Sequence, residues 1–141
     1  MSSSVEVLVL DNGKPFNLEN SKAFSGFSVS DTDEAHTFYA ESLGLDVTED
    51  NGMLTLHLGG GGRVIVYPKG EAHQPASFTV LNFPVHDIEA AVGALTHEGV
   101  EFKHYDGTPM ETDALGIFRG GGPLIAWFAD PSGNIFSIIQ D

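Results

Sequence analysis

An internal repeat constrains the fold of this chain more than any other feature of its sequence. The stretch FSVSDTDEAHTFYAESLGLDV at residues 27–47 runs parallel to FPVHDIEAAVGALTHEGVEF at residues 83–102. Each copy alternates apolar residues up to an aspartate, continues with helical periodicity, and reaches a glycine before another strand. A period longer than that of solenoid repeats indicates a duplicated half-fold.

The start and end of each predicted helix are marked by specific residues. Asp31 and Asp87 follow the alternating strands and are expected to accept backbone N–H bonds as N-caps. Apolar residues then recur at i, i+3, i+4 and i+7, so each helix should lay one face on a sheet. Gly44 and Gly99 stand where a left-handed residue ends a helix.

Each helix is followed by two apolar runs that a glycine-containing turn separates. These runs occupy residues 53–68 in the first copy and 123–140 in the second, and each pair predicts a β-hairpin. The chain therefore reads as two tandem βαβββ modules, at 24–68 and 78–140. The polar, proline-marked segment 69–77 is the expected linker between them. The predicted fold class is α+β, in one domain.

Two regions lie outside the repeat. Within the extension 1–23, apolar residues alternate on both sides of Asp-Asn-Gly, which predicts an additional N-terminal β-hairpin. The stretch 106–123 is rich in turn-forming residues and poor in apolar ones. Two alternatives remain open for this stretch: a lid or binding loop, or a flexible connection.

Composition limits the expected partners. Twenty acidic residues against six basic ones give a net charge of −14, which disfavours nucleic acid. The same charge either serves solubility or attracts a cationic small molecule. The chain has no cysteine, which excludes disulfides and thiolate chemistry. The N-terminus shows neither a signal peptide nor a membrane span, so a cytoplasmic protein without a membrane partner is expected.

Three motifs together resemble the vicinal oxygen chelate superfamily, which includes glyoxalase I, extradiol dioxygenases, fosfomycin-resistance enzymes and bleomycin-resistance proteins. They are VSDTDEAHTFYAESLGL at 29–45, VHDIEAAVGALTHEGVEF at 85–102 and WFADPSGNIFSIIQ at 127–140. The resemblance implies that each module curls its strands into half of a cup. The strands would then form a mixed sheet around one central ligand cavity.

Metal-dependent members of that superfamily hold their ion with four residues. The resemblance places the two first-strand ligands at Phe24 and Val80. It places the last-strand ligands at Ser137 and, by internal alignment, at Val66. Such sites need carboxylate oxygens or imidazole nitrogen, which these side chains lack, so no metal cofactor is expected.

Of the six histidines, His57 is the one expected to face the cavity, beside Thr55 on the same side of a strand. Two alternatives remain open for it. It is a hydrogen-bonded wall residue, or it is a general base, because its unperturbed pKa lies near neutrality. A relocated metal site would use residues such as His57, and His104 could approach the same space. No residue is assigned a catalytic role.

Period-two alternation and the inward face implied by the resemblance predict a mostly apolar cup with a few polar groups. Trp127 is expected on the opposite face, against a helix. The alternative is that the side chains meet and leave no cavity. The predicted ligand-binding residues are Phe24, Ser28, Thr55, His57, Val66, Asn82, Phe118, Phe128 and Ser137.

The sequence thus favours a metal-free small-molecule binding protein, similar to the bleomycin-resistance proteins, that sequesters a cationic or aromatic ligand. By the same resemblance a homodimer is expected. Two alternatives stay open. One is a metal-dependent lyase, isomerase or dioxygenase with a relocated metal site, and the other is a fold retained for association with another protein.

Overall fold

The structure is a computed structural model that describes residues 15–141. Its strands and helices follow the order predicted from the repeat. A π-helical turn, Phe38–Ser42, continues the first helix, and a short 3₁₀ turn, Gly70–Ala72, lies in the linker. The elements are β1 (Ser25–Val29), α1 (Thr32–Thr37), β2 (Asp46–Asp50), β3 (Met53–His57), β4 (Arg63–Pro68), β5 (Thr79–Val85), α2 (Ile88–His97), β6 (Ile117–Phe118), β7 (Ile125–Ala129) and β8 (Ile135–Gln140).

Each copy of the repeat forms one four-stranded mixed sheet. The strand orders are β1-β4-β3-β2 and β5-β8-β7-β6. In the first sheet β1 runs parallel to β4, and in the second β5 runs parallel to β8. The predicted α+β fold of two tandem modules is therefore confirmed. The predicted N-terminal hairpin lies largely outside the described residues. Within the described part of the chain, no helix is long and apolar enough to cross a membrane.

The predicted helix boundaries are confirmed by their capping contacts. The carboxylate of Asp31 accepts two backbone N–H bonds in the first turn of α1, and that of Asp87 accepts one from Ala90. Gly44 and Gly99 follow the helices with φ of +71° and +93°. These are left-handed values that a glycine adopts without a steric penalty.

One hydrophobic core joins the two modules, and Phe136 lies at its centre. Its fully buried ring packs edge-on against Phe27 of the first module, at 5.8 Å between centroids, and stacks on Phe128 at 5.6 Å. Tyr39 from the π-helical turn lies 5.9 Å away. The core therefore covers one face of each sheet, and we call the opposite face of each sheet its open face.

The turn between β7 and β8 connects the modules through hydrogen bonds. Tyr39 Oη donates to Asp130 Oδ2 at 2.5 Å, and Asn134 Nδ2 donates to the Ser28 carbonyl at 2.8 Å. The backbone N–H of Ser30 donates to Ser132 Oγ at 2.9 Å. Burial, and then the charge of Asp130, raises the pKa of Tyr39, which keeps its hydroxyl protonated as a donor.

We predict that Tyr39→Phe lowers the free energy of unfolding by about 1 to 3 kcal/mol, because a buried carboxylate loses one of its donors. Urea denaturation followed by circular dichroism measures this change. The matched control is Tyr67→Phe, which should change stability by no more than about 0.5 kcal/mol because the Tyr67 side chain lies on an open face. Equal effects of the two substitutions would contradict the role given to the Tyr39 hydroxyl.

Candidate ligand-binding site

Trp127 projects from the open face of the second sheet. Its neighbours in β7, Ala126 and Phe128, are buried in the core, and its Cα partner on β8 is Ser137. The prediction that Trp127 packs against a helix on the opposite face is therefore wrong. The reason is the turn that begins at Asp130, which fixes the pairing of β7 with β8 and thus the face that each residue occupies.

Phe128, predicted as a ligand-binding residue, occupies the core instead. Its side chain is 1% exposed and stacks on Phe136. Val66 is also displaced from its predicted place, because it is fully buried and pairs with Leu54 on the core face of the first sheet. Both corrections have one cause, since a slip of one residue in a strand moves every side chain to the other face.

Three aromatic side chains form an aromatic cluster on the open face of the second sheet: Tyr105, Phe118 and Trp127. Tyr105 contacts Trp127 edge-on at 5.6 Å between centroids, and Phe118 lies 6.0 Å from Trp127. A cavity of about 470 Å³ lies beside the cluster. Its main lining residues are Phe78, Tyr105, Thr108, Met110, Trp127 and Ile135.

The end of β6, which carries Phe118, is tied to α2 by charged groups. Arg119 Nε donates to Asp113 Oδ2 at 2.8 Å, and Arg119 Nη2 donates to Glu89 Oε1 at 2.8 Å. Burial alone would raise the pKa of Asp113. The hydrogen bonds from Arg119 and from the backbone N–H groups of Ile117 and Leu115 outweigh burial and lower it. Residues 113–119 are thus held in place by named contacts.

Ser137 is fully buried between its strand neighbours Trp127 and Asn82. Its hydroxyl donates to Asn82 Oδ1 at 2.5 Å. The structure therefore places both residues in the open-face register, where the Ser137 hydroxyl is covered and bonded to Asn82. A serine whose only proton is donated to an amide gives the site no charged ligand for a metal.

The counterpart of Ser137 in the first module is Ile65. In both hairpin turns the first residue donates to the fifth at 2.9 Å: Leu58 N–H to the Gly62 carbonyl, and Asp130 N–H to the Asn134 carbonyl. Counting outward from these turns makes Ile65, and not Val66, equivalent to Ser137. The predicted equivalence of Val66 and Ser137 is therefore wrong by one residue.

The four positions that would hold a metal in the superfamily's arrangement do not fit an ion. They are occupied by Phe24, Ile65, Val80 and Ser137, which supply no carboxylate and no imidazole. Val80 lies at an irregularity in β5 and packs against the core. Between residues 15 and 141, no group of three His, Cys, Asp or Glu side chains is placed to hold a metal.

His57 lies on the open face of the first sheet with Thr55, as predicted. Its Nε2 atom is 2.9 Å from Thr48 Oγ1. Its Cα partners on the flanking strands are Asp46 and Arg63, so acidic and basic side chains stand on either side of the imidazole. The arrangement makes His57 a hydrogen-bonded residue of an exposed surface.

Ser28 and Phe24 also lie on the first open face, and each has a partner. The guanidinium of Arg63 lies 4.7 Å from the centre of the Phe24 ring. Ser28 Oγ is 2.7 Å from His73 Nδ1, and His73 Nε2 is 2.9 Å from the Ser132 carbonyl. Because a carbonyl only accepts, the neutral His73 ring carries its proton on Nε2, and Ser28 donates to Nδ1.

The predicted site residues thus fall into separate groups. Phe24, Ser28, Thr55 and His57 lie on the first open face, and none of them lines the cavity beside the aromatic cluster. Asn82 and Phe118 lie on the second. Within one copy of the chain, the structure does not bring these groups to one cavity.

Trp127 and Tyr105 were missed as site residues, for different reasons. Pairing the two strands outward from the Asp130–Asn134 turn places Trp127 opposite Ser137. The sequence therefore contains the information needed to put Trp127 on the open face. Tyr105 lies in an irregular segment with a left-handed φ of +50°, where no periodicity indicates the direction of a side chain.

Most of the chain also matches a family model. Residues 24–138 match the model described as the Glyoxalase/Bleomycin resistance protein/Dioxygenase superfamily. The chain belongs to this superfamily. A search of curated proteins found no match.

Solved structures give the same assignment. A superfamily member from Sphaerobacter thermophilus DSM 20745 is 26% identical with a TM-score of 0.61, over 84% of this chain and 96% of that one. TnmS3, an antibiotic binding protein from Streptomyces sp. CB03234, is 25% identical with a TM-score of 0.59, over 84% and 94%. The fosfomycin resistance protein FosX from Mesorhizobium loti, at 11% identity and a TM-score of 0.59 over 84% and 90%, shares the fold.

Proposed function

We propose that this superfamily member is a metal-free binding protein that sequesters a planar aromatic small molecule carrying a positive charge. The aromatic cluster of Tyr105, Phe118 and Trp127 carries the proposal, because aromatic faces attract both flat rings and cations. Phe78 and Met110 are 67% and 41% exposed at the same cavity and offer further apolar area to a ligand.

Charge supports a cationic ligand. A net charge of −14 attracts cations over distances longer than a contact. Asp106 and Glu111 lie in the loop that follows Tyr105 and are exposed to solvent. They would increase the local concentration of a cation at the mouth of the cavity, and the effect would weaken as salt is added.

Similarity to TnmS3, an antibiotic binding protein, favours binding over chemistry for this chain as well. The absence of metal ligands at the four family positions agrees with that choice, because chemistry in this fold would then need another source of catalysis. We therefore assign no catalytic residue and no cofactor.

We propose further that each chain acts as one domain and that two copies pair into a homodimer. Both open faces carry large exposed apolar side chains: Phe24 at 55% and Met53 at 43% on the first, and Phe78 at 67% beside Trp127 on the second. In a pair of copies, the first open face of one would cover the second open face of the other. His57 and Thr55 would then stand across the cup from Trp127.

The alternative is a metal-dependent lyase, isomerase or dioxygenase with a relocated metal. One observation favours it: His57 is an exposed imidazole with Asp46 as a cross-strand neighbour. One imidazole and one carboxylate fall short of the three protein ligands that catalytic zinc sites typically use. A partner copy would have to supply the third.

The ligand prediction uses the fact that Trp127 is the only tryptophan of the chain. Proflavine, a planar aromatic cation, should quench Trp127 fluorescence saturably. Tyr105→Ala should weaken binding roughly tenfold, because a cation–π contact contributes about 0.5–2 kcal/mol and 1.4 kcal/mol is tenfold.

The control is Leu115→Ala, at an exposed residue away from both open faces, which should leave the affinity for proflavine unchanged. An uncharged or anionic analogue of the same ring size should bind more weakly than proflavine. Equal affinity for all three analogues would remove the cationic requirement, and no quenching by any of them would contradict the proposed site.

The metal prediction is that elemental analysis of protein purified without chelators gives well under one equivalent of zinc, nickel, manganese or iron. Chelator should leave the affinity for proflavine unchanged. A stoichiometric metal that is lost in His57→Ala would favour the enzyme alternative.

The dimer prediction is that sedimentation equilibrium gives twice the mass of the chain. Phe24→Glu and Phe78→Glu should each shift the equilibrium towards monomer, because a charge would be buried in the pairing surface. Leu115→Glu is the control, since Leu115 is equally exposed, at 52%, but lies away from the open faces. A monomer at all concentrations would contradict this part of the proposal.

A further inference from the structure

The two hairpin turns have the same backbone and different side chains. In the glycine turn, Leu58–Gly62, and in the polar turn, Asp130–Asn134, the fourth residue is a left-handed glycine, with φ of +88° and +86°. The first turn contains glycine at its last four positions, whereas the second carries Pro, Ser and Asn side chains. The two modules therefore meet at two junctions that are equivalent in backbone and differ in their side chains.

The junction at the polar turn is closed. Besides its hydrogen bonds to β1, this turn is covered by the linker, where the Ala76 N–H donates to Asn134 Oδ1 at 3.1 Å. Pro75 packs so closely that a Cβ atom added at Gly133 would lie 3.1 Å from its ring atoms. Side chains and the linker thus both contact the polar turn at this junction.

The junction at the glycine turn is open. A cavity of about 520 Å³, which we call the glycine pocket, separates this turn from β5. A Cβ atom added at Gly59, Gly60 or Gly62 would meet nothing within 4 Å. Leu45, Leu58, Leu81, Phe83 and Pro84 form the apolar walls. The space exists because this turn supplies no side chain to fill it.

The polar groups of the glycine pocket indicate what it would bind. No charged residue lines it, and Asn82 is its one polar side chain. Asn82 Oδ1 already accepts from Ser137, so the amide NH₂ remains as the side-chain donor that a ligand can use. A matching ligand is uncharged and apolar and carries a hydrogen-bond acceptor.

We propose that the glycine pocket is a second small-molecule site, which takes an uncharged, largely apolar molecule through a carbonyl or ether oxygen held by Asn82. Its volume lies within the range typical of small-molecule sites. It shares no lining residue with the cavity beside the aromatic cluster, so it is independent of the function proposed above.

The test titrates the full chain with prodan, an uncharged naphthyl ketone whose emission shifts to the blue in apolar surroundings. We expect saturable binding with one site per chain. Gly60→Leu should weaken it at least tenfold by filling the pocket. Gly60 has no positive φ, so the backbone tolerates the new side chain.

Three variants locate the bound prodan. Gly93→Leu is the matched control, because Gly93 also has an open Cβ position and no positive φ but lies on α2. It should leave the affinity unchanged, as should Trp127→Ala. Asn82→Asp should weaken binding, because the carboxylate keeps an acceptor for Ser137 and loses the donor for the ketone.

A readout without substitution covers the case in which Gly60→Leu does not fold. Nuclear magnetic resonance of the unmodified chain should show the amide signals of Gly59, Gly60 and Gly62 shifting as prodan is added. Loss of binding in Trp127→Ala would place prodan at the aromatic cluster and overturn the proposal. The absence of binding, or of any shift at these glycines, would overturn it as well.

Discussion

The arrangement of the two modules depends on the buried carboxylate of Asp130. Its oxygens accept bonds from Tyr39 Oη, from Asn134 Nδ2, and from the backbone N–H groups of Ser132 and Asn134. Three of these bonds shape the turn itself, and the fourth reaches the first module. One side chain therefore sets both the pairing of β7 with β8 and the position of the π-helical turn against the second sheet.

The pairing of β7 with β8 decides which side chains lie on the open face. Because the turn pairs Trp127 with Ser137, the indole faces outwards and the serine hydroxyl is covered and bonded to Asn82. The resemblance to the superfamily implies a metal-ligating carboxylate at the equivalent position of metal-dependent members. Here the same position contributes packing beneath an aromatic surface. A change in side chains, with the backbone retained, is enough to replace a charged centre by an apolar one.

Much of the fold could be predicted from sequence because its determinants are local. The caps Asp31 and Asp87 and the glycines that end the helices act through neighbouring backbone atoms, so the pattern of the repeat indicated them directly. The faces of β4 and β7 were harder, because alternation alone does not state which face is buried. Tyr105 could not have been placed, since its direction depends on contacts with Trp127 that form only in the folded chain.

The unequal turns have a consequence for how this protein can change. The polar turn holds the two modules together, because several buried groups lose their hydrogen-bond partners if it is altered. The glycine turn makes none of those bonds, and open space surrounds all four of its glycines. Duplication thus left one corner of the molecule under little structural constraint. New side chains can be tried there without disturbing the interface that holds the halves together.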